Sequence, residues 1–135
     1  MNRSNAIVLD AWAIMAYLED EPPAEKIGIL IADALEQNIP ILMTVVNVGE
    51  VWYSVARRRS ARDADQALRW LDEIGIDPVN ADITLSRSAA RYKVKGGISY
   101  ADCFAAALAK QTNATLVTGD PEFKQLENEI AIEWL

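Results

Sequence analysis

Residues 7–18 read Ile7-Val8-Leu9-Asp10-Ala11-Trp12-Ala13-Ile14-Met15-Ala16-Tyr17-Leu18, a short apolar run, one acid, then a longer apolar stretch at helical length. The run of three is a strand, and the acid closes it where a helix begins. The same grammar recurs along the chain. Apolar runs at Pro40-Ile41-Leu42-Met43, Ile74 to Val79, Thr115-Leu116-Val117 and Ile130-Ala131-Ile132 are separated by helical patterns. Those helices are expected over 11–18, 23–37, 45–59, 62–74, 82–93 and 100–112. Pro22 and Pro23 suit a helix start, and Asn38, Gly75 and Gly96-Gly97 suit helix ends. Strands alternating with helices predict an α/β fold, a three-layer α/β/α sandwich around a mostly parallel sheet. The glycine-bearing segment 93–99 is the expected mobile loop.

The chain of 135 residues with 51% hydrophobic composition has the size of one domain, expected over 1–135. No run approaches the about 18 apolar residues of a membrane span, and no cleavage site follows the first apolar stretch. A soluble cytoplasmic protein without membrane contact is expected. Cys103, the only cysteine, sits in an Ala-rich stretch and reads as a small core residue. Disulfides and cysteine-based zinc sites are thereby excluded.

Histidine is absent, which removes Ser-His-Asp hydrolysis, histidine bases and imidazole ligation together. Catalysis is left to carboxylates, hydroxyls, amines or a bound metal. The net charge of -7 opposes a protein that holds nucleic acid by bulk attraction. If four acids are occupied by cations, 16 acids remain against 13 bases, a balance of only -3.

Four acids stand out by position. Asp10 ends the first strand, Asp120 follows the fourth through Thr118-Gly119, Asp102 enters a helix capped by Ser99, and Glu50 lies in the helix after the second strand. In an open parallel sheet the carboxyl ends share one edge, and crevices form there where the strand order reverses. Each of the three aspartates, taken singly, also reads as a helix cap meeting the positive end of a dipole. Glu50 resists that reading. Its helix, Val45-Val46-Asn47-Val48-Gly49-Glu50-Val51-Trp52, is apolar on nearly every side, so its carboxylate needs a partner such as a cation. Asn47 precedes it by one turn on the same face, and Gly49 removes bulk beside it. Asp102 lies similarly among alanines, with Ser99 as its polar neighbour. Clustered carboxylates repel unless a hard cation such as Mg²⁺ or Mn²⁺ settles among them. Such an ion activates water and steadies a leaving oxygen on a phosphate.

Arg57-Arg58-Arg59 with Arg62 is the densest positive patch. Arg57 lies two turns past Glu50 on nearly the same face, about 10 Å along the axis, within reach of a flanking phosphate. Basic residues also favour a helix C-terminus in their own right. Arg87, Arg91, Lys93 and Lys95 read as a solvated face. Trp12, Tyr17, Trp52 and Tyr53 flank the acids, where base stacking or a partner groove competes with core packing as the default. Trp134 alternates with Ile130 and Ile132, the pattern of a half-buried last strand.

Taken in order, Ile7-Val8-Leu9-Asp10, Val46-Asn47-Val48-Gly49-Glu50-Val51, Ser99-Tyr100-Ala101-Asp102 and Thr118-Gly119-Asp120-Pro121-Glu122-Phe123 resemble the PIN-domain signature. The resemblance is nearest to the compact VapC-type toxins. It implies a usually homodimeric ribonuclease that uses Mg²⁺ or Mn²⁺ and is silenced by a co-expressed VapB-like antitoxin. It also implies that Asp10, Glu50, Asp102 and Asp120 are the acidic quartet, with Thr118 as the hydroxyl residue before the last acid and Asn47 and Ser99 in support. Ala11 departs from the pattern, since relatives often carry Ser or Thr there. Two other readings compete. A phosphotransfer or receiver domain is disfavoured because no second Asp follows Asp10 at the required spacing and no lysine follows the last strand. A catalytically silent PIN-fold module that binds RNA or protein is disfavoured by the intact quartet.

Overall fold

The structure, a computed structural model, describes residues 6–135. Five strands, β1 (Ile7–Leu9), β2 (Ile41–Thr44), β3 (Ile76–Val79), β4 (Thr115–Thr118) and β5 (Ala131–Trp134), form one sheet in the order β3-β2-β1-β4-β5, and every pairing is parallel. Six helices connect them: α1 (Ala11–Leu18), α2 (Ala24–Glu36), α3 (Val45–Arg58), α4 (Ala61–Glu73), α5 (Ile83–Val94) and α6 (Tyr100–Thr112), followed by a 3-10 helix over Pro121–Leu126. The expected alternation and layering hold. Among the described residues no helix is long and apolar enough to cross a membrane.

The central strand is covered on both sides. Val8 and Leu116 face a core with Leu85 and Ala89 of α5, Leu108 of α6, and Phe123 of the 3-10 helix. Leu9 and Val117 face the other core, with Ile14 of α1, Ile27 of α2, Val51 of α3 and Leu71 of α4. Strand alternation thus sends successive residues into opposite layers. Helix α6 is buried continuously from Cys103 to Ala109, and its alanines let it lie close to the sheet. Cys103 is buried and unpaired, as a small core residue.

Several boundaries differ from expectation. Pro40 precedes β2. Strand β3 starts at Ile76, because Ile74 caps α4 and Gly75 takes a positive φ of +90°. Pro78 is accommodated because β3 is an edge strand. The fifth strand runs two residues further than expected, and its Ile132 and Trp134 are half-buried while Ala131 and Glu133 are exposed. The 3-10 helix was not expected from the sequence. Segment 93–99, expected to be mobile, is tied at several points: Lys93 Nζ donates to Ile98 O (2.8 Å), Gln125 Nε2 to Gly97 O (3.0 Å), and Ser99 N to Glu122 (2.9 Å).

Candidate active site

Strands β1 and β4 are neighbours although the chain visits β2 and β3 between them, so the strand order reverses at this seam. Asp10 closes β1 and Asp120 follows β4, which sets both at the carboxyl end of the switch point. The position of each is then fixed by local capping. Asp10 is the N-cap of α1, its Oδ1 accepting from Ala13 N at 2.8 Å. Asp120 caps the 3-10 helix, its Oδ1 accepting from Glu122 N at 2.9 Å. The capping reading and the cluster reading are therefore both true of these residues.

Thr118 joins the two. Its hydroxyl donates to Asp10 Oδ2 at 2.5 Å and accepts from Asp120 N at 3.1 Å. On the neighbouring strand end, Thr44 caps α3 and donates to Asn47 Oδ1 at 2.7 Å. Asn47 Nδ2 in turn donates to Glu50 Oε1 (2.9 Å) and to Ala101 O (3.2 Å), so one buried amide orients the glutamate and ties α3 to the start of α6. The partner that Glu50 required is thus Asn47. Gly49 has open space where a side chain would stand, so the surface beside Glu50 is free of bulk there and no close contact requires the glycine.

Ser99 caps α6 through Asp102 N at 3.2 Å. Glu122, which sequence reasoning passed over, accepts from Ser99 N and also hydrogen-bonds Asp102. Carboxylate oxygens of Asp102, Asp120 and Glu122 lie within 4.8 Å of one another. The only signal for Glu122 in the sequence was an acid two residues past Asp120. The acids open onto a cleft of about 280 Å³ whose wall also includes Ala11, Trp12, Met15, Ser54 and Ser99. Asp10 lies beneath it, fully buried. A larger hollow of about 510 Å³ between α1, α3 and α4 contains none of the four acids, so chemistry rather than size singles out the cleft.

The electrostatics are those of crowded, shielded carboxylates. Burial drives the Asp10 pKa up to about 7, against the hydrogen bonds from Thr118 and Ala13, with the charges of Asp120 and Glu50 adding to the rise. Burial also leads the rise of Asp102 to about 8, reinforced by Asp120, Asp10 and the Glu122 hydrogen bond and opposed by Ser99. Glu50 is raised by burial and by Asp120, against hydrogen bonds from Asn47 and Tyr53. A hard divalent cation fits this donor set, since it relieves the repulsion and the oxygens match its ligand preference. Asp102, Asp120 and Glu122 are close enough to share one ion, Glu50 lines the same cleft, and Asp10 lies buried outside its lining.

The arginines divide. Arg58 and Arg59 pair with Glu19 at 3.9 and 3.5 Å, while the Arg57 guanidinium lies over the Tyr53 ring, 5.0 Å from its centre. In the second basic patch Lys95 pairs with Glu129 at 3.1 Å, in keeping with a solvated face.

Positions 7–129 match the family model of the PIN domain. Ribonuclease VapC30 of Mycobacterium tuberculosis is 29% identical over 128 residues, covering 90% of this chain and 95% of the relative. Among solved structures, VapC20 of M. tuberculosis, described as a sarcin-ricin loop cleaving toxin, superposes with a TM-score of 0.74 at 15% identity, covering 93% of this chain and 97% of the other. VapBC2 of Rickettsia felis, bound to a DNA fragment from its promoter, gives 0.71 at 17% identity, covering 96% and 98%.

Proposed function

The chain belongs to the PIN-domain family, and from that premise we propose that it is a Mg²⁺- or Mn²⁺-dependent endoribonuclease, the toxin of a toxin-antitoxin pair. The observation that carries this reading is the convergence of Asp10, Glu50, Asp102 and Asp120 at the switch point of the sheet, supported by a relative named as a ribonuclease. A VapB-like antitoxin is the proposed partner, supported by the structural likeness to a VapBC complex. RNA in the cytoplasm is the proposed substrate. Homodimer formation is expected from the family resemblance alone.

A divalent ion bound here would supply activation of a water and stabilisation of negative charge on the phosphate. Asp102, Asp120 and Glu122 would hold it at the open rim. Asp10, locked by Thr118 and Ala13 N, lends negative charge from the floor and keeps Asp120 in place through the shared hydroxyl. Glu50 is held by Asn47 on the opposite wall, ready to accept a proton from a water in the cleft. Arg57, braced on Tyr53 and without a carboxylate partner among the described residues, receives a phosphate along the strand.

The test is cleavage of labelled structured RNAs, transfer RNA and ribosomal stem-loops included, by antitoxin-free protein in Mg²⁺, Mn²⁺ or EDTA, beside Asp10→Asn and Asp102→Asn. Metal-dependent cutting that both substitutions abolish is expected. RNA left intact under every condition, or cut equally by both variants, would favour a silent PIN-fold binding module instead.

A further inference from the structure

The wall of the acid cleft carries no lysine or arginine, so an anionic strand entering it meets carboxylates, serines, small apolar groups and one aromatic ring, Trp12. The other three tryptophans are engaged elsewhere. Trp52 Nε1 donates to Asp65 (2.9 Å), Trp134 Nε1 to Glu127 (3.2 Å), and Trp70 stacks on Tyr17 with ring centres 5.2 Å apart. Trp12 is half-buried and, among the described residues, has neither a side-chain hydrogen bond nor a ring partner.

Gly119 explains how the ring is held. Glycines 75, 96 and 97 occupy the left-handed region, but Gly119 does not, so backbone conformation gives no reason for it. A Cβ at Gly119 would stand 2.2 Å from Trp12 Cη2 and 2.5 Å from Cζ3, where no carbon fits. No other glycine has so close a neighbour. The missing side chain lets the benzo edge of the indole rest on the chain between Thr118 and Asp120. The ring is thereby pinned beside the acids.

We propose that Trp12 is a stacking platform for the nucleobase next to the scissile phosphate, set in position by Gly119. The proposal rests on the ribonuclease reading. Beside the ion and Arg57, which serve the phosphates, the ring face offers contact that any base can use, with purines offering the larger overlap.

The experiment is a cycle between protein and RNA. The cut is mapped in one RNA that the wild-type protein cleaves, and each flanking nucleotide is replaced in turn by an abasic ribose. At one position the wild-type KM should rise roughly 10- to 100-fold. Trp12→Leu should show a comparable loss on intact RNA and no further loss on the abasic one, and Trp12→Phe should recover most of it. If no flanking position is sensitive, or if Trp12→Leu suffers the abasic penalty in full, stacking on Trp12 is overturned while the ribonuclease reading stands. A wild-type protein that cuts nothing overturns both. Should Trp12→Leu fail to fold, Trp12→Met takes its place, since a side chain without a ring must lose most of the abasic penalty and a penalty kept in full rejects the platform.

Discussion

The two edges of the sheet are built from opposite materials. At the amino edge, β1, β2 and β4 set out beside Ala6, Ile41 and Ala114, all buried and apolar. At the carboxyl edge the same strands finish at Asp10, Thr44 and Thr118, all equally buried and all polar. With Asn47, these are the only buried polar side chains among the described residues. Every one of them is satisfied by a hydrogen bond, and no buried side-chain polar atom there lacks a partner. The amino edge therefore adds to stability through apolar burial. The carboxyl edge subtracts from it by holding a carboxylate out of water. A fold concentrates such groups at one edge when that edge has a task other than stability.

The comparison is broken most severely by Asp10→Asn. The amide keeps the shape, and with it the cap on Ala13 N, but not the charge. RNA cleavage should fall by at least about a thousandfold, the size of losing several kcal/mol of charge stabilisation. Stability without metal should move the other way. Because folding raises the Asp10 pKa from 3.8 to about 7, the protonated form is favoured, and its contribution is complete below pH 3.8 and lost as pH rises to about 7. Thermal melts in EDTA should show wild-type stability declining over that window, more gently in Asp10→Asn, with the variant the more stable at pH 8. Divalent metal should flatten the wild-type decline. An unchanged slope in the variant would show that Asp10 is not the group held neutral.

A smaller effect is expected from Thr118→Val, which leaves the fold's volume nearly intact but removes the hydroxyl between Asp10 and Asp120. Metal titrations followed by activity should show affinity lowered about 10- to 100-fold. Denaturant unfolding should register about 1–3 kcal/mol for the acceptor and donor left unmet. Equal metal dependence in wild type and variant would mean that the link is structural only. Least of all, Ile41→Val at the amino edge should cost about 1 kcal/mol in the same unfolding experiment and leave kcat and KM unchanged. A kinetic effect there would erase the distinction between the edges.

Much of this arrangement was legible in order along the chain. Short apolar runs alternating with helical patterns specify parallel strands, because only crossover helices join neighbours that run the same way. Asp10 and Asp120 were readable as strand-end acids, and Ser99 as a cap, because each depends on residues within a few positions. Boundaries at Ile76 and the 3-10 helix were not, since a positive φ at Gly75 and the turn after Asp120 leave little periodic trace.

What the sequence determined by itself is the class of fold, the places where acids meet strand ends, and the exclusion of histidine and cysteine chemistry, all of them properties of local order and composition. Only the tertiary structure decided how the acids are held: Thr118 meets Asp10 across 108 positions, Asn47 reaches Ala101 across 54, Glu122 receives Ser99 N across 23, and Trp12 fills the space left by Gly119. Such contacts are set by which strands become neighbours and how far each helix lies from the sheet. No periodicity in one segment encodes its distance from another, so burial, pKa and shared hydrogen bonds arise only when the layers close.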